Sequence, residues 1–262
     1  MSAILVSIIS CLILFLSTAI GASLVFVFRK NLSPKVSNAI LGFASGIMIA
    51  AGIFGLLIPA IEEAEAIYPT YAFIPVVIGF ILGGIFLNIL DHVIPHFHKD
   101  RDEDEGPKIN LTKQIKFFLA VLIHNIPEGL AVGFACGLAL TTNDQTLILS
   151  ALSLAIGISI QNLPEGTAVA IPLYEEGMKK EKAFLYGTIS GIVEPLFAII
   201  GIFIATHIAL LLPWLLAFSA GAMIYVTVDE LLPAARKEGH EHFGLWAFML
   251  GFIIMLLLEL LL

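Results

Sequence analysis

Residues 1–28 read MSAILVSIISCLILFLSTAIGASLVFVF, and no residue in this stretch carries a charge. A helix needs about 20 consecutive apolar residues to cross the hydrocarbon core of a bilayer. The stretch is longer than the apolar region of a signal peptide, and it has neither a basic segment before it nor an A-x-A-type cleavage site. We therefore expect it to form a retained, membrane-spanning first helix.

The rest of the chain has the same character. Of its 262 residues, 59% are hydrophobic and 13% are charged, whereas a soluble domain carries roughly a quarter charged residues. This composition excludes a soluble enzyme, a nucleic-acid-binding protein and a disordered chain. The apolar runs are far longer than the strands of about 10 residues that build outer-membrane barrels. They predict an all-α polytopic fold with spans at 3–28, 36–61, 71–95, 115–140, 146–173, 183–206, 208–233 and 243–262.

The basic residues predict the orientation. All 13 lie in the connections that follow odd-numbered spans or, for Lys116, at the start of the next span: Arg29, Lys30, Lys35, Lys99, Arg101, Lys108, Lys113, Lys116, Lys179, Lys180, Lys182, Arg236 and Lys237. Basic residues close to span ends remain on the cytoplasmic side. We therefore expect the odd-numbered connections, including a loop at 96–114, to be cytoplasmic, and both termini to be outside.

Three carboxylates fall inside predicted spans: Glu128, Glu165 and Glu194. A charged side chain near the centre of a bilayer costs at least about 2.5–3.5 kcal/mol on insertion scales, and such residues commonly mark a pathway or site. Apart from Lys116, at the start of the fourth predicted span and 12 residues before Glu128, no basic residue lies within a span to neutralise them. They therefore need protons or a bound cation.

The fourth and fifth spans repeat a phrase, HNIPEG at 124–129 and QNLPEG at 161–166. Residues three and four apart share a helix face, so each copy groups its polar side chains. Each proline removes an intrahelical hydrogen bond, as in the broken helices that face each other at transporter sites. The alternative is that these polar groups only hydrogen-bond between helices. The grouped residues are His124, Asn125, Glu128, Gln161, Asn162 and Glu165.

This set of imidazole, amide and carboxylate groups suits Zn²⁺, and also Fe²⁺, Mn²⁺ or Cd²⁺. An intramembrane metalloenzyme is one rival interpretation, but the H-E-x-x-H motif is absent. A selective channel is another, and it would share the site. No Walker A motif is present, so ATP is not expected to drive transport. The residues favour a carrier that needs no cofactor and moves the metal ion as its substrate.

The sequence resembles the ZIP family of divalent-metal transporters, in its bacterial GufA-like branch. The resemblance rests on LGFASGIMIAAGIFGLLIPAIEEA at 41–64, LDHVIPHFH at 90–98, both copies of the duplicated phrase, SGIVEP at 190–195 and SAGAMIYVTVDELLP at 219–233. It implies eight helices arranged as three, two and three, with inverted outer triplets and outward-facing termini, in a single transport domain over 1–262. It also implies a homodimer.

The resemblance further implies a two-metal site. The first ion would be held by His124, Glu128, Gln161 and Glu165, with Met48 from the second span, although a methionine in an apolar span commonly serves packing. The second ion would be held by Asn125, Glu128, Asn162, Glu165 and Glu194, so that two glutamates bridge. Many relatives have histidine before glutamate in the seventh span, whereas this chain has Asp229 before Glu230.

Three further groups of polar residues lie near the predicted membrane surfaces. An inner exit is expected from Asp91, His92, Asp229 and Glu230, or these residues are simply wetted by headgroups. Glu62, Glu63 and Glu65 form either an acidic outer mouth or an ordinary acidic loop. The His- and acid-rich segment from His96 to Glu105 is either a weak collector of divalent cations or a solvated loop.

Together these features predict a secondary transporter in the cell inner membrane. It would bring Zn²⁺ or a similar ion into the cytoplasm by alternating access. Its expected partners are divalent metal ions and the lipid bilayer, and no nucleic acid.

Overall fold

The computed structural model describes residues 1–27, 33–93, 96–98, 103–105, 113–175, 177–236 and 241–262. Within these ranges, eight helical spans are long and apolar enough to cross a membrane. They are Ala3–Phe26, Pro34–Ile67, Phe73–Val93, Val121–Thr142, Gln145–Tyr174, Lys180–His207, Leu212–Ala234 and His242–Leu261. The predicted helical class and the number of spans are confirmed.

Four spans are single α-helices in the described residues. They are the third, Phe73–Val93; the fourth, within Lys113–Thr142; the fifth, within Gln145–Glu175; and the eighth, within Glu241–Leu261. The first span is the α-helix Ala3–Ser23 followed by the 3₁₀ turn Leu24–Phe26. Another 3₁₀ turn, Ala209–Leu211, joins the sixth span to the seventh.

The second, sixth and seventh spans are irregular. The second consists of Pro34–Ala50, a π-helical segment Ala51–Leu57, and Ile58–Ile67. The seventh consists of Leu212–Val226, a π-helical segment Thr227–Leu231, and Leu232–Ala234. The sixth is divided into Lys180–Ser190 and Val193–His207. π-Helical segments are rare and frequently occur at functional sites.

The second span is longer than the hydropathy pattern predicted. It continues to Ile67, past the expected end at residue 61, because a carboxylate ends an apolar run without ending a helix. Glu62, Glu63 and Glu65 therefore lie on its last turns, and the helix stops at Tyr68, directly before Pro69. The other described bounds differ from the expected ones by a few residues.

The loop predicted at 96–114 contains a short antiparallel pair of strands, His96–His98 and Glu103–Glu105, with His96 opposite Glu105. The side chains of residues 94–114 lie outside the described part of the chain. The expected collection of cations by His96, His98, Asp100, Asp102, Glu103, Asp104 and Glu105 stays a prediction.

The spans pack in four principal pairs: first with fifth, fourth with sixth, second with eighth, and third with seventh. These pairs are related by an exchange of spans, the first with the sixth, the second with the seventh, the third with the eighth and the fourth with the fifth. After this exchange the same four pairs result. The exchange also relates the two spans that contain π-helical segments and the two that contain the duplicated phrase. Inverted triplets would produce this pattern, and they stay a prediction.

The same contacts divide the spans into two bundles. The first, fourth, fifth and sixth spans form one, which we call the site bundle, and the second, third, seventh and eighth form the other, the frame bundle. Helices within a bundle touch through their backbones. A Cβ atom added to Gly46, for example, would lie 2.0 Å from the carbonyl oxygen of Phe248. Small residues allow membrane helices to pack this closely.

Candidate metal-binding site

The two helices that carry the duplicated phrase are continuous. Pro127 lies inside Lys113–Thr142, and Pro164 lies inside Gln145–Glu175, so the broken helices suggested by the sequence do not occur here. In membrane helices, adjacent helices and local adjustment satisfy the carbonyl that a proline frees. The prolines therefore leave the spacing of the polar side chains helical.

The break lies instead in the sixth span, at Gly191 and Ile192. A Cβ atom at Gly191 would lie 2.6 Å from the Cβ atom of Thr18, so only glycine fits at this turn. The helix restarts at Val193, which places Glu194 in its first turn. Backbone N–H groups there have no intrahelical partner, and the helix dipole favours a negative charge.

The glycine of each phrase brings a neighbouring helix into backbone contact. A Cβ atom at Gly129 would lie 2.4 Å from the carbonyl oxygen of Glu194, and one at Gly166 would lie 2.1 Å from that of Thr18. Larger residues would separate the fourth span from the sixth and the fifth from the first. These contacts place the polar faces of both phrases against Glu194.

Glu194 is fully buried and accepts hydrogen bonds from three side chains. Asn162 Nδ2 donates to Oε2, and Asn125 Nδ2 donates to Oε1 at 3.4 Å. Thr18 Oγ1 lies 3.3 Å from the same Oε1 atom. Asn125 Nδ2 also donates to the carbonyl oxygen of Ser190 at 3.1 Å, beside the break in the sixth span.

Glu128 is joined to the fifth span by Gln161. Gln161 Nε2 donates to Glu128 Oε2 and to Asn162 Oδ1, both at 2.7 Å. Glu128 is 1% exposed, and it lies close enough to Glu165 and Glu194 for their charges to repel. Burial of like charges is costly without a compensating cation or proton.

Two oxygen atoms of this cluster have no hydrogen-bond partner among the described residues. They are Asn125 Oδ1 and Glu165 Oε1, and both are buried. An unsatisfied buried polar atom costs about 1–3 kcal/mol. Both atoms are of the type that coordinates a divalent cation.

His124 connects the duplicated phrase to the seventh span. Its Nε2 atom lies 2.6 Å from Glu230 Oε1, and each of the two side chains is 15% exposed. Asp91 and Glu165 also lie close enough to His124 to interact with it electrostatically. Glu230 and Asp91, which the sequence placed at an inner exit, therefore adjoin the duplicated phrase.

Met48 and His92 are less closely joined to the cluster, and Asp229 stands beside Glu230 in the π-helical segment of the seventh span. Met48 is buried, and its Sδ atom lies 3.7 Å from Thr227 Oγ1, which donates its proton to the carbonyl oxygen of Met223 at 2.7 Å. His92 is exposed, and its Nδ1 atom lies 2.7 Å from the carbonyl oxygen of Asn88 on its own helix. Asp229 is half-buried.

The side chains form a hydrogen-bonded network rather than a preformed cage. Among the residues that the structure describes, no three His, Cys, Asp or Glu side chains are arranged to hold a metal ion. The lone pairs of Glu128 and Glu194 instead receive amide N–H groups. An asparagine or glutamine side chain that turns by half a rotation replaces this donor with a carbonyl oxygen.

Sequence reasoning missed three contributors to this network: Thr18, Thr227 and the backbone carbonyl of Ser190. A hydroxyl in an apolar span ordinarily bonds to its own helix, so neither threonine gave a signal. The sequence gives a weak signal for the helix break beside Ser190, since Gly191 is followed four residues later by Pro195.

Comparison with known proteins places this network in a family. A family model described as ZIP zinc transporter matches residues 98–259. The chain is 35% identical over 248 residues to the zinc transporter ZIPB of Bordetella bronchiseptica, covering 94% of this chain and 77% of that protein. It is 34% identical over 247 residues to the zinc transporter GufA of Myxococcus xanthus, covering 93% of each.

A relative from an animal is similar over the same extent. The chain is 32% identical over 319 aligned residues to the human zinc transporter ZIP11, covering 92% of this chain and 93% of that protein. Eight apolar spans, a buried polar network on the duplicated phrase and these similarities agree, and the chain belongs to the ZIP family.

Proposed function

We propose that this protein is a secondary transporter that brings Zn²⁺, or a similar divalent transition-metal ion, into the cytoplasm by alternating access. The chain is a multi-pass transport protein rather than an enzyme, as its relatives are named zinc transporters. The observation that carries the proposal is the cluster of three carboxylates with amide groups inside the spans, of which Glu128 and Glu194 are buried and Glu165 is half-buried. Between Lys116 and Lys179 the sequence has no Lys or Arg to neutralise it.

The ion would replace the amide hydrogen bonds that Glu128 and Glu194 accept in this network. Its first position would be held by His124, Glu128, Gln161 and Glu165, with Met48 as a soft ligand from the frame bundle. Its second would be held by Asn125, Glu128, Asn162, Glu165 and Glu194. The unpartnered oxygens of Asn125 and Glu165 support this assignment, because they are left for a cation to satisfy. Without thiolate ligands, the site is suited to release as well as binding.

The proposed direction follows from exposure and charge. His124 and Glu165 are partly accessible, whereas Asn125, Glu128 and Asn162 are sealed. His124 lies nearer the start of the fourth span, and Glu165 lies nearer the end of the fifth. These are the two ends that join connections with basic residues. Since basic connections remain cytoplasmic, the ion would leave on that side.

The proposed exit uses residues of the frame bundle. Glu230 contacts His124, and Asp91 lies nearby. Together with Asp229 and His92, they would pass the ion to the cytoplasm. Glu62, Glu63 and Glu65, at the opposite end, would concentrate cations outside.

The proposed alternating access rests on the two bundles. Within each bundle, most of the close glycine contacts are with backbone atoms, whereas the two between the bundles, at Gly55 and Gly157, are with side chains. A Cβ atom at Gly55 would meet Leu154 Cδ1 at 2.9 Å, and one at Gly157 would meet Met255 Sδ. An interface of side chains can shift by shear while each bundle stays intact. Residues 1–262 would act as one transport domain, in the cell inner membrane and as a homodimer.

Uptake of ⁶⁵Zn²⁺ into proteoliposomes tests the proposal. We expect saturable uptake by the unaltered protein, and its loss in a Glu128→Gln, Glu165→Gln double variant, which keeps the side-chain shapes. Glu181→Gln is the matched control, because Glu181 is an exposed carboxylate in the first turn of the helix Lys180–Ser190 and belongs to no proposed site. Unchanged uptake by the double variant would contradict the proposed site. Competition by Fe²⁺, Mn²⁺ and Cd²⁺ would then rank the ions that the ligands accept.

A further inference from the structure

Thr18 of the first span is buried beside the cluster, and the proposed ligand set does not include it. Its side chain is fully enclosed, and its Oγ1 atom lies 3.3 Å from Glu194 Oε1. A hydroxyl has one proton to donate, and a carboxylate only accepts. Thr18 therefore donates to Glu194.

The hydroxyl of Thr18 has a second acceptor within reach, the carbonyl oxygen of Leu14, also at 3.3 Å. Its single proton serves one acceptor at a time. A carboxylate has lone pairs on both oxygens, so Glu194 can keep the Thr18 hydrogen bond on Oε1 while it receives a cation. Leu14 gives the hydroxyl an alternative acceptor whenever Glu194 turns away, so the buried donor is never left unsatisfied.

The position of Thr18 is fixed by two close helix contacts. A Cβ atom added to Gly166 would lie 2.1 Å from the carbonyl oxygen of Thr18. A Cβ atom added to Gly191 would lie 2.6 Å from the Cβ atom of Thr18. Thr18 therefore lies between the duplicated phrase of the fifth span and the break in the sixth. The first span has little freedom to rotate its hydroxyl away from Glu194.

The pairing of the spans relates Thr18 to Glu194. Gly129 of the first phrase packs on Glu194, and Gly166 of the second phrase packs on Thr18. If the fourth span is exchanged with the fifth, and the sixth with the first, Thr18 takes the position of Glu194. The sixth span thus contributes a carboxylate to the cluster, and the first span contributes the hydroxyl that hydrogen-bonds to it.

We propose that Thr18 is a positioning residue for the second metal ion. Its hydroxyl holds the Glu194 carboxylate turned toward Asn125 and Asn162, in the orientation that receives the cation, without touching the ion itself. This inference rests on the proposed function, because it assumes that Glu194 is a ligand.

Thr18→Val tests the inference, because valine keeps the branched shape that packs on Gly191 and removes only the donor. Residues that orient metal ligands typically contribute about 10–100-fold to affinity, so we expect KM for ⁶⁵Zn²⁺ uptake to rise about 10-fold. Maximal velocity should stay within about twofold, because no ligand is lost. Calorimetry on the purified protein should show one of two zinc-binding steps weakened by about the same factor.

Two variants separate positioning from packing. Thr18→Ser keeps the hydroxyl and should restore the KM of the unaltered protein. Ser17→Ala is the matched control, because buried Ser17 Oγ donates to the same Leu14 carbonyl oxygen, at 2.8 Å. It should leave KM and zinc binding unchanged. Failure of Thr18→Ser to rescue, or an equal loss in Ser17→Ala, would overturn the inference.

A double-mutant cycle with Glu194 completes the test. In a Glu194→Gln background, Thr18→Val should cause no further change in zinc binding, since the two residues act through one contact. Full additivity would contradict the inference. Zinc binding that Thr18→Val leaves unchanged would overturn this inference alone, whereas absence of binding by the unaltered protein would overturn the proposed function as well.

Discussion

The two copies of the duplicated phrase have nearly the same sequence but different surroundings. HNIPEG presents His124 to Glu230 of the frame bundle, in a partly exposed position. QNLPEG presents Gln161 to Glu128 inside the site bundle, where it is sealed. One residue at the start of each phrase thus distinguishes the copy that contacts the frame bundle from the copy that is buried in the site bundle. The repeated motif builds the cluster, and its one strong difference makes one side of the cluster more accessible than the other.

The largest effect is expected where the two copies meet. Glu128→Gln removes a carboxylate charge that would bridge both ions, while its amide oxygen can still accept the hydrogen bond from Gln161. Since changing even a residue behind a ligand costs about 10–100-fold in metal affinity, we expect zinc uptake to fall at least about 100-fold. The measurement is initial-rate ⁶⁵Zn²⁺ uptake in proteoliposomes. Uptake within a few-fold of the unaltered protein would show that the phrases do not share a bridging ligand.

The next effect concerns the packing of each copy. Gly129→Ala and Gly166→Ala would each place a methyl group against a backbone oxygen that cannot move away. Overpacking of this kind costs about 1–3 kcal/mol, and we expect both variants to lower the thermal unfolding midpoint in detergent. Gly177→Ala is unsuitable as a control because Gly177 has a positive φ, whereas Gly84→Ala has room for a methyl group in a helix. If Gly129→Ala and Gly166→Ala unfolded at as high a temperature as Gly84→Ala, the close backbone contacts of both phrases would be contradicted.

A moderate effect is expected when the first copy is made to resemble the second. His124→Gln removes the proposed imidazole ligand and its contact with Glu230, and leaves a side chain that still offers a carbonyl oxygen. We expect zinc uptake to fall about 10-fold, in line with the loss of one neutral ligand from a site with several. Gln161→His is the reciprocal change, and it should tighten zinc binding while slowing release. Equal and independent losses in both variants would mean that the two copies are interchangeable.

The smallest effect is expected at Met48, where the frame bundle meets the site. Met48→Leu keeps the volume of the side chain and removes the sulfur that Thr227 contacts. Thioether ligands favour softer ions, so uptake of Cd²⁺ should fall more than uptake of Zn²⁺, by about threefold in KM. A uniform change for both ions would assign Met48 to packing. Parallel uptake assays with the two ions at matched concentrations distinguish the outcomes.

The sequence predicts features that depend on one segment at a time. Eight spans follow from apolar length, and the polar face of each phrase follows from helical spacing, since both are local properties. The break at Gly191 and the contact between Thr18 and Glu194 depend on how distant helices are rotated against each other. The contact between His124 and Glu230 joins residues 106 positions apart, and no local pattern encodes it.

Hydropathy also misplaced one boundary for a physical reason. It marked the end of the second span where carboxylates begin, although Glu62 and Glu63 continue the helix toward Ile67. Polarity reports where a helix leaves the hydrocarbon core, and Pro69 determines where it stops. The two positions coincide only when a turn-forming residue stands at the membrane surface.

The pairing of distant spans has a consequence for biogenesis. The principal partner of the second span is the eighth, which leaves the ribosome after the other seven, and the first span meets its partner only after the fifth has been made. Gly46 thus has its partner, Phe248, only after about 200 further residues have been translated. Early spans must persist in the lipid as separate helices and assemble afterwards, as in two-stage membrane folding. A chain that ends after the seventh span would insert but leave the second span without its closest neighbour.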